Sequence, residues 1–71
     1  MELEEAQGIV RNLLDTAVND SVTLAQRIDE LKTDYAADPY ITTEAMIRKL
    51  EARRIKKIRE ANALALVVAT F

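Results

Sequence analysis

Cysteine, histidine and tryptophan are absent from these 71 residues, and glycine and proline occur once each. Without cysteine no disulfide can staple the fold. Without histidine as well, the usual ligands of zinc, haem and iron–sulfur centres are missing, and carboxylates alone suit only hard, oxygen-seeking ions. No metal and no cofactor are expected. A core of this size supplies only about 3–5 kcal/mol, and small scaffolds normally add a disulfide, a metal or a partner. By elimination, oligomerisation or a second protein is expected to supply the missing stability.

Long apolar runs are absent too. A membrane span needs roughly 18–20 apolar residues, and the uncharged closing stretch "NALALVVATF" at residues 62–71 has about half of that. The opening "MELEEAQ" is acidic, whereas a secretory signal opens basic and then turns apolar. The expectations are no membrane span and a cytoplasmic protein.

The net charge of −2 hides an asymmetry. Residues 1–38 carry nine acids and three bases, whereas residues 39–71 carry seven bases and three acids. Across the whole chain the two residue types that break helices are almost missing. Gly8 lies within an amphipathic pattern, where it costs about 1 kcal/mol relative to alanine and marks fraying or close packing. Pro39 lies in "YAADPYITTEAM", the one turn-like cluster. The residue before a proline is driven out of the α region, so a first helix is predicted to stop near Ala37. Thr42 or Thr43 is placed to cap a second helix with Glu44 at its positive end, the alternative being an Asp38 cap with Pro39 as the first helical residue.

Both halves read as helix. Leu3, Val10, Ala17, Leu24 and Leu31 recur every seven residues, and Leu14, Ile28 and Tyr35 fill the complementary seam, interrupted by Gln7 and Ser21. Spacings of three and four sustained over this length are the signature of an amphipathic helix. In the second half Ile47, Leu50, Ile55, Ile58, Ala61, Ala65 and Val68 are assigned to the inner side, and Arg48, Lys49, Arg53, Lys56, Lys57 and Arg59 to the outer. The fold class is therefore all-α, one domain over residues 1–71. It is an antiparallel two-helix hairpin, about 3–37 and 42–69, joined by a short Asp-Pro turn and completed by oligomerisation or a partner. The charge split predicts an acidic helix attracted to a basic one, an effect of about 0–1 kcal/mol per exposed pair that sets orientation more than stability.

Three kinds of chemistry can be weighed on this frame. Seven cations between Arg48 and Arg59 could follow phosphates. They are interspersed with Glu51, followed by Glu60, and lack any aromatic residue for base stacking. A solvated helix face therefore outweighs nucleic-acid binding. The acids could include a catalytic pair, but catalysis needs a pocket with perturbed titrating groups, which a bare hairpin does not build. No catalytic residue is assigned, and a non-enzymatic protein is expected. Tyr35 and Tyr40 are expected to pack across the turn and pin the helices.

The closing segment is the most informative. On a helix "ALALVVATF" is apolar on every side, and a helix of that kind must be covered on every side. One neighbouring helix covers about one side. The expected partner interface is therefore Leu64, Leu66, Val67, Val68 and Phe71. Ile9, Val18 and Val22, which lie off the main stripe of the first helix, are secondary contacts. Met46 on the second helix also remains to be covered. Val67 to Phe71 could alternatively pair as a strand, although no other strand candidate exists. Alone, the chain is expected to form a homo-oligomer, because the same surface needs cover.

The segments "LEEAQGIVRNLLDTAVNDSVTLAQRIDELK", "DYAADPY" and "IREANALALVV" together resemble the small co-chaperones of type III secretion needle subunits. The resemblance covers nearly the whole chain through helix pattern, turn position and apolar end. It implies a cytoplasmic helical hairpin that pairs with a larger tetratricopeptide-like, helical-repeat chaperone to hold a needle subunit soluble and unpolymerised. Needle subunits are similar in "ADPYI" and "VVATF", but their Tyr-Arg-Asn-Ala-Gln type motif is absent where "RRIKKIREANAL" stands. That difference favours the co-chaperone over a self-assembling, needle-like structural subunit.

Overall fold

A computed structural model describes residues 1–71. Helix α1 spans Leu3–Ala37 and helix α2 spans Ile41–Val68, 35 and 28 residues packed antiparallel, with no strand. The all-α hairpin read from the sequence is the architecture of the protein. It is a rod with extents of 53 × 17 × 14 Å, its length that of α1 at about 1.5 Å per residue.

The turn forms where proline demands it. Asp38 is extended, at φ −151° and ψ 93°, and its N–H still donates to the Asp34 carbonyl at 2.9 Å. Tyr40, also extended, is the N-cap of α2, and its carbonyl accepts the Glu44 N–H at 3.1 Å. The caps expected from Thr42, Thr43 or Asp38 are not formed, because α2 starts at Ile41. Both threonines then stand inside its first turn, and Asp38 lies two residues before the cap. Neither helix has a side-chain N-cap.

The core sits at the turn end. Ile28, Leu31 and Ile47 form its buried cluster, with Tyr35 and Leu50 packed against it. Tyr35 thus pins the helices as expected, whereas Tyr40 is exposed. Further along, the helices touch through small residues: Ala17 and Ala61 are buried, Ala17 to 1 % exposure. Alanine at these levels keeps the two backbones close, where leucine would push them apart. Five buried residues in 71 is a thin core.

The seam on α1 follows the predicted heptads. Writing the two core positions as a and d, Val10, Ala17, Leu24 and Leu31 occupy d, and Leu14, Ser21, Ile28 and Tyr35 occupy a; all are buried or half-buried. Leu3 departs from this, at 73 % exposure. The register gives the reason. Lys32 pairs with Glu51, and Arg11 meets Phe71, so the first turns of α1 project beyond α2 and Leu3 has no helix opposite it.

On α2 the seam differs from the hydrophobic reading. The 3–4 spacing runs Thr43, Ile47, Leu50, Arg54, Lys57, Ala61, Leu64, Val68, and all but Arg54 are buried or half-buried. Ile55 and Ile58, assigned to the inner side from sequence, are 52 % and 37 % exposed, and Ala65 is exposed. A stiff helix keeps one face toward its neighbour, so the register set by Ile47 and Leu50 carries through two cationic positions. Long basic side chains tolerate this by laying their aliphatic stems along the seam with the charge outside. Lys57 does so, its ammonium 3.6 Å from Asp20 and 3.4 Å from Glu60.

The charge asymmetry does not knit the helices together as predicted. Only two ion pairs cross the seam, Lys57–Asp20 and Lys32–Glu51, and the second has its base on the acidic helix. The rest of the charge points outward, and the bridged side chains are well exposed, which limits each to about 0–1 kcal/mol.

Candidate functional site

The heptad frame divides the surface into two flanks beside the seam. One carries the e and b positions of both helices and includes the Lys32–Glu51 pair; a groove on it is lined by Ala25, Asp29, Lys32, Glu51, Arg54 and Ile55. The other carries the g and c positions, with a groove lined by Asp20, Thr23, Arg53, Lys56, Lys57 and Glu60. In an antiparallel pair, e faces e and g faces g; Lys32–Glu51 is such an e–e pair, and Lys57 reaches from the seam to Asp20 on the g flank.

The apolar end of α2 is shaped by its last hydrogen bonds. The helix runs through Val68, and a turn follows at Ala69 and Thr70, so the strand alternative is not adopted. The Ala69 N–H donates to the Ala65 carbonyl at 2.9 Å, and the Thr70 and Phe71 N–H groups donate to Val67 and Val68 at 3.0 and 3.1 Å. The Thr70 hydroxyl adds a bond to the Val67 carbonyl at 2.6 Å. This tightened turn carries Phe71 back across the rod. Its ring centroid lies 5.3 Å from the Arg11 guanidinium carbon, within the range of a cation–π contact.

The eight residues predicted for a partner interface occupy five different places. Leu64 and Val68 are seam residues, half-buried against α1. Leu66 points directly away from α1 and is 73 % exposed. Val67 is exposed on the g flank, where the frame also puts Ile9 and, unforeseen from sequence, Leu13. Val18 and Val22 are exposed on the opposite e flank, and Phe71 sits at the tip. Six of the eight are exposed, on separate faces, whereas Leu64 and Val68 are taken up by the seam.

The first surface is the open end on the g flank: Ile9 and Leu13 of α1 with Ala63, Val67 and Leu66 of α2. Of the second, in mid-rod on the e flank, the sequence reading names Val18 and Val22 but places Ile55 and Ile58 inside. One heptad from Lys32–Glu51 the register places Ala25 opposite Ile58, and one further places Val18 opposite Ala65. Val22 and Ile55 stand on the same flank, and all four large side chains, Val18, Val22, Ile55 and Ile58, are exposed. The signal was present in the sequence. Continuing the 3–4 count from Ile47 to Val68 lands on Arg54 and Lys57 and leaves Ile55 and Ile58 beside the seam.

The remaining surface is charged. Arg48 pairs with Glu44, and Arg27 with Glu30 at 3.1 Å, within their own helices. No three acidic side chains converge to hold a metal ion, and no helix is long and apolar enough to cross a membrane. The fold and the two apolar surfaces define a class: an all-α helical hairpin with more apolar side chain outside its seam than inside. No protein-family model, curated protein or solved structure matches this chain.

Proposed function

We propose that this hairpin is a non-enzymatic protein-binding module that docks another chain through its open end. The observation that carries the reading is the apolar end of α2, where Leu66 is 73 %, Val67 46 % and Phe71 42 % exposed, with Ile9 and Leu13 exposed on the first turns of α1. Each large apolar side chain contributes about 1.5–3 kcal/mol when fully buried. A helical groove suits this shape, because α2 offers anchors on successive turns of one end. The charged shaft between Arg48 and Glu60 keeps the rest of the rod in water.

The form suggested by the resemblance is a co-chaperone. In that form a helical-repeat chaperone receives the open end, and the two together keep a secretion needle subunit unpolymerised in the cytoplasm. A second reading draws on the placement of apolar surface on both flanks of one rod. Two different patches can join head to tail without closing, which is the geometry of an open-ended structural subunit.

Co-purification from the native host tests the docking reading, with wild type compared against Leu66→Glu and Val67→Glu. Both residues are exposed, so helicity is retained, and a discrete protein is expected to be recovered with wild type and lost with the variants. Equal recovery by all three would overturn the docking end. Filaments that lengthen with concentration would favour the structural subunit over the co-chaperone.

A further inference from the structure

We propose that the e flank is a homodimer interface, on which a second copy of this chain packs with its turn at the same end, giving a four-helix bundle. This surface is separate from the open end and does not rest on the docking reading.

Composition sets the e flank apart. At its middle, α1 presents Val18, Val22 and Ala25, and α2 presents Ile55, Ile58, Asn62 and Ala65. None is charged. At the same level the g flank carries Asp20, Arg53, Lys56 and Glu60. A hairpin standing alone needs apolar residues only at a and d, whereas a helix inside a bundle adds e or g as a third apolar position. Both helices make that addition on the same side. The face runs from Arg11 to Lys32, and the rod is 17 Å across. That gives a footprint of roughly 500 Å² per copy and about 1,000 Å² over two, the threshold for a specific interface.

Charge at the borders selects both the occupant and its direction. Toward the turn the face ends in Asp29 and Lys32 on α1 and in Glu51 and Arg54 on α2. A two-fold axis parallel to the helices lays α1 of one copy antiparallel on α2 of the other, in the register the hairpin already uses. Lys32 then meets the partner's Glu51, and Asp29 the partner's Arg54. The two Lys32–Glu51 pairs close into a ring of alternating sign. A two-fold axis perpendicular to the helices instead lays α1 on α1 about Val22, bringing Asp15 against the partner's Asp29 and Arg11 close to the partner's Lys32. Like charges face each other in that arrangement. The face therefore complements itself in one direction only.

Single-cysteine chains test both the occupant and its direction, since the natural chain has none. In the same-end dimer Val22 faces the partner's Asn62, and the two copies of Val22 lie on diagonal helices. Mixing Val22→Cys with Asn62→Cys chains under mild oxidation is expected to give a disulfide heterodimer, while Val22→Cys alone stays uncrosslinked. Sedimentation equilibrium of the wild type should show a closed dimer, and Ile58→Glu should raise its dissociation constant by about a hundredfold or more. Crosslinking of Val22→Cys with itself would overturn the direction. A wild-type monomer at concentrations on the order of 100 µM, or a dimer indifferent to Ile58→Glu, would overturn the interface. Loss of the dimer with retention of the open-end partner would leave the docking reading standing alone.

Discussion

The guanidinium of Arg11 lies over the ring of Phe71 at 5.3 Å and joins the last residue of the sequence to the open third of α1. Cation–π contacts at exposed sites contribute about 0.5–1 kcal/mol. A double-mutant cycle with Arg11→Ala and Phe71→Ala, read by urea unfolding at fixed protein concentration, should return a coupling in that range. A coupling indistinguishable from zero would mean that Phe71 is held only by the turn at Ala69 and Thr70.

Gly8 is helical with nothing within 4 Å of the position a Cβ would take, which removes close packing as its reason. Its backbone is not in the left-handed region. Gly8→Ala should therefore raise stability by about 0.4–1 kcal/mol, through helix propensity and reduced unfolded-state freedom. Thermal unfolding at matched concentrations checks this; a loss of stability would point to an occupant at that position in the assembled protein.

Tyr40 opens α2 without a side-chain cap and is exposed. Tyr40→Asp places an acceptor at the N-cap and a negative charge at the positive end of the helix. The gain should be about 0.5–2 kcal/mol, and most of it should vanish when the carboxylate is protonated. An aspartate whose cap bond depresses its folded-state pKa contributes stability at neutral pH that is lost as pH falls through that value. Denaturant midpoints of the variant and wild type at pH 7 and in acid measure the difference.

Ala17 is the most buried residue, and close backbone approach depends on it. Ala17→Leu should cost about 1–3 kcal/mol by overpacking. Ile28→Ala, at the main cluster, should cost about 2–5 kcal/mol by leaving a cavity. If Ala17→Leu were neutral or stabilising, the seam at that level would be loose.

The legibility of this fold in its sequence was uneven for physical reasons. Seam spacing from Val10 to Tyr35, broken only at Ser21, and the lone Asp-Pro pair announce two helices and a turn, because period and backbone restriction are local properties. The inner face of α2 was misread at Ile55 and Ile58. Hydrophobicity pointed one way there, while the rigid register of Ile47 and Leu50 delivered Arg54 and Lys57 to the seam. The expected caps failed because a shift of one or two residues in a helix start turns a capping threonine into an interior one. The α1 heptad already separates Ile9 and Leu13 from Val18 and Val22, but which residues of α2 join each group follows from how α2 lies against α1.

If this rod is stabilised through contact with another copy of itself, its stability must depend on its own concentration. The most direct measurement is the thermal melt of the purified chain, followed by circular dichroism over about a hundredfold range of concentration. A species that dissociates as it unfolds has a melting temperature that depends on concentration. The midpoint should rise with every increase in concentration, and Ile58→Glu should abolish the rise. A cooperative melt with the same midpoint at every concentration would contradict it.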